Sequence, residues 1–287
     1  MDLEFRTEYW NDSKARGAFK SFILDIHNLD FNDWEVCGYW DPAYTPFSYF
    51  INGHVISSVC VYLLDAVIHG RMTKLVQISG VGTHQDYRKQ GLSRELTKMG
   101  LDWAKDQHEG IFLFADEAAI PYYLRCGFSP INESQEYCKI KPVNTNDGIV
   151  QLNPSNRIDL DRIYDYANRR TPISHKFSIL SSKLLMFHAL YTMRDKMYEI
   201  PNLNCLVFFD RDKDVVNVYD ILGETIPPFE ELYPYICSNT DKRIDFHFHT
   251  DKLGINNIKT RPLVGNNAYV KGLFPVLNPA FPFTSRA

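Results

Sequence analysis

The chain has 287 residues, and its 31 Lys and Arg against 35 Asp and Glu leave a formal net charge of −4. That length accommodates two domains of ordinary size, and the acidic balance excludes a general attraction to nucleic acid or an anionic membrane, so any anion site must be local. The six cysteines, Cys37, Cys60, Cys126, Cys138, Cys205 and Cys237, show no C-x-x-C spacing, no apolar run approaches the roughly 18 residues of a membrane span, and the first residues lack a secretory signal pattern. The expectation is free thiols, a cytoplasmic setting, and neither a membrane nor a nucleic-acid partner.

A short strand is expected near Leu3 to Thr7. From Asp12 to Leu29, Phe19, Phe22, Ile23 and Ile26 recur at helical spacing and predict an amphipathic helix. The runs Phe47 to Ile51 and Val55 to Leu64 read as strands joined by Asn52-Gly53, a strong hairpin signal because both residues tolerate positive φ. Lys74 to Val81 is the next strand. A helix from Gly91 to about Gln107 follows, with Leu92, Leu96, Met99 and Trp103 on one stripe, Arg94, Glu95, Lys98 and Asp102 facing outward, and Gly110 as its stop. Ile111 to Ala115 reads as a strand parallel to the one ending near Val81, which makes the helix a right-handed crossover. A second short helix spans Ala118 to Cys126, and Ser134 to Ile140 closes this set of strands.

The junction between strand and helix carries the clearest chemical signal. A helix start leaves about four backbone N–H groups unpartnered and carries partial positive charge. The segment Arg88-Lys89-Gln90-Gly91-Leu92-Ser93 is therefore a candidate anion-binding loop. It is neither of the commonest phosphate loops, since GxxxxGK[ST] is absent and no GxGxxG follows a strand.

This loop resembles the R/Q-x-x-G-x-G/A pyrophosphate loop of GNAT acetyltransferases, with Ser93 where the family has Gly or Ala. Pro121-Tyr122-Tyr123-Leu124-Arg125-Cys126-Gly127-Phe128 resembles the family's aromatic-Tyr-xxx-Gly-Phe signature, and the order of strands and helices is similar to the GNAT fold. The resemblance implies an α/β (α+β) mixed-sheet acyl-CoA N-acyltransferase fold over residues 1–141, with acetyl-CoA as acyl donor. It implies that the amides of Gln90, Gly91, Leu92 and Ser93, with the side chains of Arg88 and Lys89, surround the pyrophosphate, and that Val81 and Thr83 lie against the pantetheine arm. It also implies a backbone bulge between Ile78 and Gly82, and Tyr123, four residues before Gly127, as general acid. Asp116 and Glu117 fall at a strand end near the acceptor entrance; Glu117 is the candidate general base, and a solvated strand end or helix cap is the other reading of both.

Residues 142–156, rich in Pro, Asn and Asp, read as a linker. Beyond them Arg157 to Ala167 and Ser178 to His188 look helical, Leu203 to Phe209 and Val215 to Leu222 look like strands, and Pro227-Pro228 open a helix through Ile236 ahead of a strand at Ile244 to Phe248. Residues 157–287 thus resemble a second, smaller GNAT-like half, as in tandem members of the superfamily. Where the first half has its loop, this half reads Gly223-Glu224-Thr225-Ile226-Pro227-Pro228; Glu224 repels a pyrophosphate and the prolines lack donors, so it should not bind CoA. Asp245, His247 and His249 alternate along a strand and share a face, but two histidines without a sequence-near third ligand read as cross-strand or surface polar residues, and no metal is expected. The tail, with Phe274, Phe281 and Phe283 among Pro275, Pro279 and Pro282, is expected to pack over the first half or the junction, where it could line the acceptor site.

The resemblance implies an N-acetyltransferase that moves an acetyl group to a primary amine, of a small molecule or peptide, by direct attack in a ternary complex. The alternative is a non-catalytic acyl-CoA-binding sensor or scaffold. A tandem-GNAT aminoacyl transferase using aminoacyl-tRNA requires a basic groove that the net charge does not supply. The acceptor is not named by the sequence, because such pockets are built from loops and junctions.

Overall fold

Two mixed sheets carry the chain in a computed structural model that describes residues 2–143 and 145–287. The first contains β1 (Glu4–Thr7), β2 (Tyr44–Ile51), β3 (His54–Ile68), β4 (Arg71–Thr83), β5 (Gly110–Phe114) and β6 (Phe128–Pro130). The second contains β7 (Ser134–Lys139), β8 (Val150–Gln151), β10 (Met197–Ile200), β11 (Cys205–Asp212), β12 (Val215–Leu222), β13 (Arg243–Phe246) and β14 (Lys259–Pro262). Two short strands cross to the first sheet from the second half of the sequence. They are β9 (Phe177–Leu180), which pairs with the far end of β3, and β15 (Ala268–Lys271), which lies between β5 and β6.

The helices are α1 (Ser13–His27), α2 (Asn32–Val36), α3 (Leu92–Trp103), α4 (Ile120–Arg125), α5 (Arg157–Arg169), α6 (Ser182–Leu190) and α7 (Phe229–Ile236). Asp12 caps α1 by accepting from the N–H groups of Lys14 and Ala15, and Phe19, Phe22 and Ile23 bury its inner face under the first sheet. The crossover β4–α3–β5 joins parallel strands, and β12–α7–β13 repeats the arrangement in the second sheet. Among the described residues no helix is long and apolar enough to cross a membrane.

Three sequence expectations need correction. The segment from Ser134 does form a strand, but β7 sits in the second sheet between β13 and β14. The place expected for it in the first sheet is taken by β15, whose Tyr269 enters one core cluster while Ala268 and Val270 enter another, as a central strand requires. The polar side chains of β7 find partners only where it lies: Gln135 accepts from Arg261 at 2.8 Å, and Glu136 accepts from Thr250 at 2.6 Å. Second, the segment Ser178 to His188 is not one helix. Its first residues belong to β9, because the 15-residue β3 extends beyond its other partner and leaves Asp65–Ile68 to be paired, and α6 starts afresh with Ser181 accepting from the Leu184 N–H. Third, α3 ends at Trp103, and Gly110 opens β5 instead of stopping the helix.

The tail seals the junction of the two sheets. Phe281 stacks on Phe112 of β5 with centroids 4.7 Å apart and meets Phe177 of β9 edge-on at 5.1 Å. The core containing these rings runs without a break from α1 through α6 into β11.

Candidate active site

The site begins where β4 and β5 part. The two strands pair only over Leu75–Gln77 and Gly110–Phe112, so the last residues of β4 have no neighbour on that side. On the other side the register with β3 shifts between Ser58 and Cys60, which leaves Gly80 and Val81 facing Val59 alone. That is a β-bulge, and Gly80 accommodates it with φ of +55°. Backbone groups at the bulge face an open groove in which an extended acyl chain could lie.

The loop beyond β4 turns through a single-turn 3-10 helix at Gln85–Tyr87 into the N-terminus of α3. Gly91 stands at the N-cap with φ of 85°, a conformation costly for other residues, and no side chain caps the helix. The first amides of α3 are therefore left without a side-chain cap. Arg88 folds back so that its Nε donates to the Thr83 carbonyl at 3.0 Å. Ser93, the departure from the family pattern, is tied to the strand end: its hydroxyl bonds Thr83, which shares a 2.8 Å hydrogen bond with Ser57. The side chain is thereby held against the sheet rather than across the amides.

Val81, Thr83, Arg88, Lys89, Gly91, Leu92, Ser93 and Tyr123 line one cleft of about 620 Å³. Gln90 is exposed and does not line it. At its inner end the cleft meets a second cavity of about 210 Å³, and Val81, Asp116, Ala119 and Tyr123 belong to both. Tyr123 is 7% exposed, and burial followed by the charge of Asp116 pushes its phenol well above the ordinary value. Tyr122 turns the other way and shares a 2.7 Å hydrogen bond with Thr97 of α3, bracing α4 against α3.

The carboxylate at the junction is Asp116, not Glu117. Both are exposed, but Asp116, which precedes the 3-10 turn Glu117–Ala119 without spending its side chain on a cap, lines both cavities, whereas Glu117 lines neither. One step along the chain reverses the direction of the side chain, which spacing alone did not resolve. His27, at the end of α1, also lines the inner cavity and was not singled out by the sequence. Burial lowers its pKa, and the neighbouring Asp116 acts in the opposite sense. Within α1 it reads as one more amphipathic position, and only the packing of α1 on the bulge brings it here.

The alternating Asp245, His247 and His249 are absorbed by structure. Asp245 pairs with Arg261 at 2.7 Å, His249 bonds Glu136 at 2.8 Å, and the His247 ring stacks on Tyr219 at 4.6 Å. Among the described residues no group of three or more His, Cys, Asp or Glu side chains is arranged to hold a metal.

The sequence model described as acetyltransferase (GNAT) family matches residues 8–128, the stretch that supplies the bulge, the loop and Tyr123. Residues 8–128 are thereby identified as a GNAT-family domain. No curated protein matches the chain at the level of sequence. Its fold is shared by a conserved protein of unknown function from Enterococcus faecalis V583 at TM-score 0.57 and 12% identity, covering 94% of this chain and 72% of that one. Eis1 from Mycobacterium abscessus aligns at TM-score 0.53 and 14% identity over 94% and 73% of the two chains. A GCN5-related N-acetyltransferase from Anabaena variabilis aligns at 0.54 and 12% over 93% and 72%. The likeness is one of fold and runs through both halves, so the second sheet is part of the arrangement that this chain shares with them.

Proposed function

We propose that the protein transfers an acetyl group from acetyl-CoA to a primary amine by direct attack in a ternary complex. The observation that supports this most is the meeting of two cavities at one phenol: the cleft below the open N-terminus of α3 and the inner pocket both end on Tyr123. A donor in the first and an amine in the second would bring their reacting atoms together there.

In this reading the amides at the start of α3, with Arg88 and Lys89, hold the pyrophosphate, and Val81 and Thr83 flank the pantetheine arm in the gap between β4 and β5. The bulge directs backbone N–H toward the thioester carbonyl. The amine nitrogen attacks that carbon, the C–S bond breaks, and Tyr123 gives its proton to the departing thiolate. Asp116 takes the proton lost by the amine through water, with His27 beside it. In this reading Glu117, which lines neither cavity, takes no part in the proton transfer.

We assign the single CoA site to a GNAT unit comprising residues 1–141, joined through 142–156 to a GNAT-like unit in 157–287. In the second unit the residue after β12 that would face a phosphate, Glu224, is an acid paired with Arg169 at 2.6 Å. The test is release of CoA thiol in the presence of acetyl-CoA and a panel of primary amines. Turnover that depends on the amine supports the reading; tight CoA binding with no transfer to any amine would replace it with that of an acyl-CoA sensor.

A further inference from the structure

The helix that carries Tyr123 is short, and its far end is held by the second half of the chain. α4 spans only Ile120–Arg125, and its last turn closes as the Cys126 N–H donates to the carbonyls of Tyr122 and Tyr123 at 3.1 and 3.0 Å. The Cys126 carbonyl lies at that end, where the helix dipole leaves partial negative charge. It accepts from the Lys271 ammonium of β15 at 2.6 Å. Gly127 leaves the space for this contact: its φ is 81°, and a Cβ built there would come to 3.0 Å from the Lys271 Nζ.

Lys271 also lies on the ring that the phenol leans against. Its backbone pairs with Phe128 across β15 and β6, and its Nζ stands 5.5 Å from the centroid of the Phe128 ring. Tyr123 meets the same ring edge-on at 6.0 Å, in a core cluster that Tyr269, two residues before Lys271 on the same face of β15, also enters. One side chain thus touches both supports of Tyr123: the residue whose N–H holds its carbonyl, and the ring on which its own ring packs. A separate brace, the 2.7 Å bond between Tyr122 and Thr97, ties α4 to the first half. Lys271 itself lines neither cavity, so it meets neither donor nor acceptor.

We propose that Lys271 is a positioning residue for the transfer: by capping the end of α4 and lying on Phe128, it holds the Tyr123 hydroxyl where the two cavities meet. This rests on the acyl-transfer reading with Tyr123 as the acid, and gives the second half of the chain a part in the chemistry. Isolated helices shorter than about 12 residues are marginal in water, so what grips the ends of α4 decides where Tyr123 sits. A general acid must come within hydrogen-bond reach of the departing sulfur, and a displacement of about 1 Å can cost on the order of 100-fold in rate.

The experiment is a double-mutant cycle of Lys271→Met, which keeps an apolar stem and removes the ammonium, with Tyr123→Phe. CoA thiol release gives kcat and KM, and circular-dichroism melts confirm that each variant is folded. Lys271→Met should lower kcat about tenfold and leave the KM for acetyl-CoA within about twofold. In the Tyr123→Phe background the same change should alter kcat by less than about twofold, because no hydroxyl is left to place. A loss of similar size in both backgrounds, or none in the first, overturns the proposal. The position of the phenol is also read without turnover, from the NMR signal of Tyr123 labelled with carbon-13 at Cζ and assigned by its absence in Tyr123→Phe. That signal should move in Lys271→Met, and an unchanged signal overturns the proposal. If Tyr123→Phe is as active as the parent, or no amine is acetylated, the acid or transfer reading fails on its own, and the signal alone decides whether Lys271 holds Tyr123. Should Lys271→Met not fold, Lys271→Gln, shorter and uncharged, takes its place in every comparison.

Discussion

Replacing Tyr123 with Phe removes one hydroxyl and leaves the ring where it packs, 6.0 Å from Phe128 and 5.2 Å from Tyr122. The effect on rate should therefore report on chemistry. General acid catalysis contributes about 10²- to 10⁴-fold, and the lower end applies because a thiolate, with an ordinary thiol pKa of about 8.5, departs with little help, and because a phenol pushed up by burial is a weaker acid than usual. The expected loss in kcat is about 100-fold, or about 2.7 kcal/mol at 1.36 kcal/mol per decade. The KM for acetyl-CoA should stay within about twofold, since the pyrophosphate contacts lie at the far end of the cleft. The raised pKa has a second consequence: Tyr123 remains protonated through any workable assay, so the free enzyme should show no alkaline loss of activity from this group below about pH 10. Thiol release followed from pH 7 to 9.5 tests both points. A Tyr123→Phe variant within threefold of the parent at every pH would remove the phenol from the mechanism.

Other substitutions separate neighbours that sequence alone treats alike. Asp116→Asn should lower kcat/KM at least about tenfold while Glu117→Gln leaves it within twofold, and the reverse order would restore Glu117 as the base. Gly91→Ala places a side chain at a φ of 85°, which should cost about 1 to 2 kcal/mol of stability by chemical denaturation and raise the KM for acetyl-CoA; an unchanged KM would mean that the α3 terminus is not the phosphate site. Acid should destabilise the fold in a defined window. Burial holds His188 near a pKa of about 4, below its ordinary value, so the unfolded chain binds the extra proton and stability falls as pH drops from about 6.5 toward 4, by on the order of 3 kcal/mol. Glu136, kept at about 2 by His249 and Thr250, loses its contribution only below about pH 4.5, so it adds to the decline at the acid end. The midpoint of thermal unfolding should be lower at pH 4.5 than at pH 7 by about 6 °C or more, and a flat profile would contradict the burial of these groups.

How much of this could be read in the sequence depended on whether the signal was local. Asn52-Gly53 fixes its hairpin by positive φ at both residues, and both adopt it. The apolar stripe of α3 and Gly91 at its start are similarly local. The exchange of β7 and β15 was not legible, since each strand has six residues or fewer and its pairing is decided by partners more than 100 positions away. Glu136 is polar wherever it is read, and only Thr250 and His249 make its place in the second sheet the favourable one. The lining of the inner pocket is hidden for the same reason: Trp34, Tyr62 and Phe187 come from three distant segments, and each alone is an ordinary core aromatic.

That exchange also explains why a half without a CoA loop stays attached to one that has it. Without β15, β5 and β6 would each lose a neighbour and Phe112 would lose the cover of Phe281; without β7, β13 and β14 would have nothing between them. Each sheet is completed by the other half, so the free energy of forming either is shared across the junction, and the wide apolar core they bury together is what holds α6 against the inner pocket. The second half of the chain thereby contributes to the same space as the first, because α6 supplies Phe187 and Leu184 to the lining of the inner pocket.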